Sequence, residues 1–491
     1  MFDAIGRHAA EWYVNGQTLP GEFNADPMQP ATFEIFGEVE PTDPDPIVVF
    51  PKEYDFGHLV GRLRSGQDVI LTDAHVLAWV PERATGSARL AVVGLGIADV
   101  ANGAFARVRL QVTGSDLFFG AAPISRIFWP SESAPADGRK YSAELNPDSH
   151  HRWESKEHGL VAECSYESSF VIGDRYRHQL TFAPVVELTS HTPLGVDEWF
   201  TRWIVPLLGL AALATRNPQQ LSWLTVHDER ADGEPAAPAW LRSGLVVGSG
   251  IAQARYDGEE RDEWRHPDRH PLFTLASIPM PLPELLHRWR TLGDSADPFV
   301  ELYQQVLRLT DLPQRARFLY MIQALEALHT HENKAVDETA QKSFEAKRMS
   351  ALAELEARRV APLTMKFVRK NWSKRRQDSL DHRLADLISG MPEPVRAGLR
   401  TQEMDAVARY LNTEASAPLH VQLSMLRNAL SHGDRNYEAR DLRPWVLVVE
   451  TMCRSHLLRL LGFDESAIGT ALATRRATRN GPPTEDETAR P

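Results

Sequence analysis

Short alternating or β-branched runs dominate the first half of the chain. Thr32-Phe-Glu-Ile-Phe, Ile47-Val-Val-Phe, Asp68-Val-Ile-Leu, Ala88-Arg-Leu-Ala-Val-Val and Ala106-Arg-Val-Arg-Leu-Gln-Val follow one another, divided by turn residues such as Pro41-Thr-Asp-Pro-Asp-Pro and Ala101-Asn-Gly. This spacing predicts a β-sandwich or an open barrel. A Ser/Pro/Ala/Gly loop from Ser131 to Gly138 leads to further strands at Gly159-Leu-Val-Ala-Glu-Cys and His178-Gln-Leu-Thr-Phe. The pattern turns helical from Val196 to Ala214 and returns to strand at Leu221-Ser-Trp-Leu-Thr-Val and Gly244-Leu-Val-Val-Gly.

Beyond Pro298 the apolar residues recur with helical period over 298–310, 313–331, 336–359, 378–388, 401–412, 418–432 and 440–461. Strand signals vanish there, which places a boundary near 290–297. The expected organisation is multidomain α+β. A β-rich N-terminal domain covers 1–190, a mixed α/β segment over 191–295 continues it, a helical bundle covers 296–473, and a polar, disordered tail occupies 474–491.

Composition narrows the function. At 491 residues the chain exceeds one ordinary core, and 43% hydrophobic with 24% charged residues is the balance of a folded protein. A formal charge of −12 argues against a general nucleic-acid coat, though not against a local basic surface. Two distant cysteines, Cys164 and Cys453, exclude a disulfide framework and a cysteine zinc site and fit a reducing compartment. The N-terminus shows no signal peptide. The longest apolar run, Trp203 to Ala214, is 12 residues against the about 20 that a bilayer needs. A cytoplasmic protein without a membrane span is expected.

Two stretches imitate a dinucleotide fingerprint, Val92-Val-Gly94-Leu-Gly96 and Val246-Val-Gly248-Ser-Gly250. Both lack the third glycine and a following helix, so glycines at a hairpin or bulge explain them better. His266, Asp268 and His270, with Glu259, Glu260 and Asp262 nearby, have metal-ligand chemistry. Their proline-containing, uniformly charged setting favours a solvated loop, and neither metal nor cofactor is expected. Nucleophile-elbow, phosphate-loop and zincin motifs are missing. The basic run Lys366-Phe-Val-Arg369-Lys370-Asn-Trp-Ser-Lys374-Arg375-Arg376 puts six cations in eleven residues around Phe367 and Trp372. It is the expected surface for a phosphate backbone, against the plainer reading of a solvated helix face.

The most informative segment runs from Leu419 to Asp434. Leu419, Leu423, Leu426 and Leu430 form one helical stripe, and Gly433 is placed to end the helix in the left-handed conformation. His432 then lies in the last turn, where the helix dipole favours imidazolium. Asn428 lies four residues before His432, on its face, whereas Arg427 is about 140° away on an ideal helix. A second copy across a two-fold axis would bring arginines and histidines together. Arg-x4-His alone is a weak pattern, repeated at Arg261/His266 and Arg265/His270. On the earlier helix, Glu326 falls on or beside an apolar stripe with Leu319, Ile322 and His329, and Arg427 is its natural counterion.

Arg427-Asn428-Ala-Leu-Ser-His432, Phe318-Leu-Tyr-Met-Ile-Gln-Ala-Leu-Glu326 and Ser379-Leu-Asp-His-Arg383-Leu-Ala-Asp-Leu resemble the ApeA-like HEPN domain. The part from the Trp12 region through Val196-Asp-Glu-Trp-Phe to Trp289-Arg-Thr-Leu is similar to the N-terminal domain that accompanies it. The resemblance implies a dimerising, metal-independent endoribonuclease that acts on RNA, with tRNA one candidate substrate, as an abortive-infection effector against phage. It maps the family's Arg-polar-x3-His motif onto Arg427, Asn428 and His432 and its acidic position onto Glu326, and it implies that the β-rich half senses a phage-derived trigger or restrains the nuclease. His432 is then the expected proton-transfer group and Arg427 the phosphoryl clamp. The competing expectations are a non-catalytic helical module that holds RNA or protein, and a carbohydrate or peptide receptor built on the β-rich half.

Overall fold

The computed structural model describes residues 4–26, 29–37, 55–80, 82–98, 100, 103–128, 142–174, 177–228, 243–248, 251, 271–295, 298–309, 312–373, 379–399, 417–433 and 437–479. The chain forms two compact units, Met1–Arg290 and Thr291–Pro491. Among the described residues no helix is long and apolar enough to cross a membrane. The predicted strand at Ile47, the charged segment with His266, Asp268 and His270, and the predicted helix over 401–412 lie outside the described residues.

Unit 1 begins with the strands β1 (Gly6–Val14), β2 (Gln17–Ala25), β3 (Ala31–Phe36), β4 (Asp55–Leu63), β5 (Asp68–Val80) and β6 (Arg83–Leu95). Their order is β6-β3-β2-β1-β4-β5, and β5 pairs back onto β6, so the six close into an antiparallel barrel. Closure removes every edge that an open barrel or sandwich would leave. Trp12, Phe23, Phe33 and Ile35 are fully buried and fill the interior, so the barrel is a packed core. The Trp12 indole N–H donates to the Glu34 carbonyl at 2.9 Å, which makes burial of its one polar atom affordable.

Beyond Leu90 the outer edge of β6 passes from β3 to β14 (Ser243–Gly248), starting a second sheet. It continues through β13 (Leu221–His227), β7 (Ala104–Val112), β12 (Arg177–Gly195), β11 (Leu160–Asp174) and β10 (His151–Ser155). Val108, Leu110, Val186, Leu188, Leu224 and Val226 are buried at alternate positions, and the helices α1 (Ser115–Phe119) and α2 (Val196–Trp199) pack on β12 and β7. From α2 the chain runs through one wide helical turn, Phe200–Ile204, into α3 (Val205–Thr215), the apolar run read from sequence. A short hairpin, β8 (Ile124–Phe128) with β9 (Ser142–Leu145), stands apart from this sheet.

One glycine of each false nucleotide fingerprint now has a physical reason. Gly94 of β6 pairs with Gly244 of β14, and a Cβ on Gly94 would fall 2.1 Å from the Ser243 carbonyl oxygen; Gly248 of β14 lies opposite Leu90, and a Cβ there would fall 2.8 Å from the Arg89 carbonyl oxygen. They permit two strands to approach closely, rather than a phosphate to enter.

The helix α4 (Leu282–Asp294) links the units. Unit 2 is built from α5 (Pro298–Arg308), α6 (Gln314–Glu332), α7 (Lys334–Ala357), α8 (Pro362–Asn371), α9 (Leu380–Ser389), α10 (Glu393–Gly398), α11 (Leu419–His432), α12 (Ala439–Leu460) and α13 (Glu465–Arg479). α6 is central, because α5, α7, α9, α11 and α12 all pack on it. The tail expected to be disordered from 474 is helical through Arg479, and residues 480–491 lie outside the described residues. Ile468 and Ala471 are buried, and α13 packs on α10 and α12, so the helix is anchored before residue 474.

Two histidines couple stability to pH. Burial, with Arg459 adding to it, lowers the His456 pKa to about 4, and burial with Arg107 and Arg109 does the same to His227. An unfolded histidine titrates near 6.5, so between those values the unfolded chain binds the extra proton and stability rises with pH. Taking the protein from pH 7 to pH 5 should cost unit 2 about 2 kcal/mol through His456. Melting curves at the two pH values check this, and His456→Leu should flatten the difference.

Candidate functional site

The buried stripe of α11 is the one its spacing requires: Leu419, Leu423, Leu426 and Leu430 are all below one-tenth exposed. Orienting these leucines inward leaves Arg427 half-buried and Asn428 and His432 exposed. Gly433 ends the helix at φ 73°, the left-handed conformation that glycine adopts without Cβ strain. On α6 the deeply buried residues are Phe318, Met321, Ile322, Leu325, Leu328 and His329. Glu326 therefore sits at the rim of the apolar face.

The two helices bring Glu326 and Arg427 together. Arg427 Nε lies 3.6 Å from Glu326 Oε1, with the side chains 33% and 26% exposed. Glu326 Oε1 is shielded from solvent and has no hydrogen bond among the described residues, so this ion pair is what compensates its burial. Arg427 Nη1 donates to Asn428 Oδ1 at 3.3 Å. Asn428 therefore engages the arginine, and among the described residues no hydrogen bond joins it to His432.

A second arginine lies at the end of α11 that the sequence pattern does not point to. Arg315, exposed in the first turn of α6, donates from Nη2 to the carbonyl oxygen of Leu430. It thereby satisfies an end-of-helix acceptor and lies beside Gly433. Nothing local predicts this contact, because its partner is 115 residues away. Tyr320 of α6 is 36% exposed and Met425 of α11 is 46% exposed.

The basic run divides. Lys366, Arg369 and Lys370 lie exposed on α8, with Arg369 paired to Glu356 of α7. Lys374, Arg375 and Arg376 lie outside the described residues.

Two polar clusters escaped the sequence reading. In unit 1 the sheet face opposite the buried one carries Arg107 and Arg109, which hold Glu187 at 3.3 and 3.2 Å, beside Thr225 and His227 at 3.1 Å from each other. In unit 2, Glu450 and Arg454 form a buried pair at 2.5 Å on α12, with Arg317 3.6 Å from the same carboxylate oxygen. Burial works against the Arg454 charge, but Glu450 and then Tyr303 outweigh it, so the guanidinium stays charged.

A closed barrel sharing a strand with a helix-backed sheet, followed by helices that carry the ion-paired Arg427 and the helix-end His432, makes a chain of two units, one β-rich and one helical. The model of the family described as ApeA N-terminal domain 1 matches residues 7–289, and the chain belongs to that family of anti-phage defence proteins. The match ends before α5, so it does not cover Glu326, Arg427 or His432. No curated protein and no solved structure matches the chain.

Proposed function

We propose that the chain is a HEPN-type endoribonuclease effector of anti-phage defence, with Arg427 and His432 acting on RNA and unit 1 sensing or restraining. The observation that carries this reading is the pairing of Glu326 with Arg427, which holds a guanidinium at the surface on the same helix as an exposed histidine.

The chemistry needs no oxidant, reductant or added water. The 2′-hydroxyl of the substrate attacks the adjacent phosphorus as its proton passes to a neutral imidazole of His432. The P–O5′ bond breaks, and an imidazolium (that residue or its equivalent in a second copy) returns a proton to the leaving oxygen. Arg427 donates to the phosphoryl oxygens, where charge builds, and its planar fork suits them better than an ammonium would. Glu326 fixes that fork from behind, and Asn428 restrains it from the side. A homodimer pairing the exposed faces of α6 and α11 would cover Tyr320 and Met425 and bring two sites together. The residues of the basic run supply phosphate contacts away from the scissile bond.

The test is cleavage of total RNA by the full chain, with and without EDTA, followed by mapping of the new ends. Fragments ending in 2′,3′-cyclic phosphate opposite 5′-hydroxyls, with the rate unchanged by EDTA, support the reading. Fragments ending in 3′-hydroxyl, or loss of cleavage with EDTA, overturn it. RNA retained without any cleavage favours a non-catalytic binding module instead.

A further inference from the structure

Among the described residues, one face of the α8 helix has no partner. Its inner side is set by Met365, which is buried, and by Val368, three residues on; this side packs against α7. α7 follows α6 and, at 24 residues, is about 36 Å long. α8 folds back along its far end, where Arg369 pairs with Glu356.

The opposite side of α8 carries Leu363, Lys366, Phe367 and Lys370, spaced i, i+3, i+4 and i+7, which is one helical stripe. Leu363 is 83% exposed and Phe367 67% exposed. Lys366 and Lys370 are exposed too, and neither has a hydrogen bond or an ion pair among the described residues. An arrangement that combines a bare aromatic ring with two unpaired ammonium groups on one side of a short helix matches a ligand that has flat rings and regularly spaced negative charge.

We propose that this stripe is a platform for single-stranded RNA, with a base stacked on Phe367 and the flanking phosphates taken by Lys366 and Lys370. The lysines are four residues apart, about 6 Å along the axis, so they bracket one nucleotide step. A duplex fits worse. Its bases are already stacked, its major groove is too deep and narrow for side chains, and the aromatic ring would find no free face. A protein partner fits worse as well. A self-sufficient protein interface buries about 1,200–2,000 Å², and a ten-residue helix with two large apolar side chains offers far less. A polynucleotide instead accumulates affinity over many such small contacts along its length. The biological point of the platform rests on the ribonuclease reading, since it would hold unpaired RNA for the Arg427/His432 site, but the binding itself does not.

The experiment uses the full chain carrying His432→Ala, so that bound RNA survives if the parent cuts it. Fluorescence anisotropy reads the affinity for a short labelled oligouridylate and for a labelled RNA hairpin of equal charge. The oligouridylate should bind more tightly, Phe367→Ala should weaken it about tenfold, and Phe367→Trp should restore it. Lys366→Ala and Lys370→Ala should each lower the slope of log affinity against log salt by about 0.7. Phe367 is exposed, so its variants should keep the parent's circular dichroism. Unchanged affinity in Phe367→Ala, an equal loss for hairpin and single strand, or no binding of either RNA at low salt would overturn the proposal. Failure of the parent to cleave RNA would sink the ribonuclease reading and leave these affinities to be judged on their own.

Discussion

His432→Ala should slow RNA cleavage by at least a hundredfold and abolish toxicity in cells, while the chain stays folded. General acid–base transfer by one positioned group contributes about 10²- to 10⁴-fold, and His432 is the proposed group for it. The fold has little to lose, because the side chain is exposed at the last residue of α11 and its helix is ended by Gly433 rather than by the imidazole. Arg427→Ala should cost a similar factor by removing charge stabilisation at the phosphorus, about 10²- to 10³-fold. Arg427→Lys should recover part of it, since an ammonium keeps the charge and loses the bidentate fork. Glu326→Gln keeps the shape but not the brace, so its loss should be smaller and should vanish in the Arg427→Ala background. That non-additivity separates a positioning carboxylate from one that meets substrate. Single-turnover rates on one RNA measure the four single variants and the Glu326→Gln/Arg427→Ala double. A His432→Ala chain that cuts at the parent rate would remove the imidazole from the mechanism, whatever the arginine does.

The parts of this molecule legible from sequence are those governed by neighbours. The leucine stripe of α11 follows from spacing, and so does the histidine at its end, because a helix and its glycine stop are local physics. β1, β2 and β4 are not among the strands the spacing predicts, although Asn15-Gly16, both at positive φ, is a hairpin signal between β1 and β2. Barrel closure is not legible, since β5 and β6 are sequence neighbours with Val80 opposite Arg83, whereas the pairings that complete the ring, β1 with β4 and β3 with β6, join segments far apart in the chain. Spacing alone puts Glu326 on or beside an apolar stripe. Its true place at the rim depends on α6 being buried along Phe318, Met321, Ile322 and Leu325, which five packed helices decide together. Arg315 could not be found at all, because its partner is a backbone carbonyl whose position only the tertiary fold defines.

Glu450 makes the same point with the larger energetic consequence. In sequence, Glu450 and Arg454 look like an ordinary i, i+4 pair on a helix surface, worth a few tenths of a kcal/mol. In the structure they are 5% and 2% exposed, 2.5 Å apart, with Tyr303 fully buried beside them and Arg317 leaning on the same carboxylate. Glu450→Ala strands two guanidiniums, one of them wholly inside the bundle. Breaking a buried pair from one side costs about 3–5 kcal/mol, a third or more of an ordinary domain's stability. Denaturant unfolding followed by Trp445, also fully buried on α12, should report that loss in unit 2. The double replacement Glu450→Leu with Arg454→Met should behave differently. It removes both charges together and fills the space with apolar groups, an exchange that is often neutral or stabilising. If the double variant is as unstable as Glu450→Ala, the cost lies in packing lost around α12 rather than in an uncompensated charge. If it is close to the parent, the pair contributes little net stability and the damage in the single variant comes from the stranded arginine.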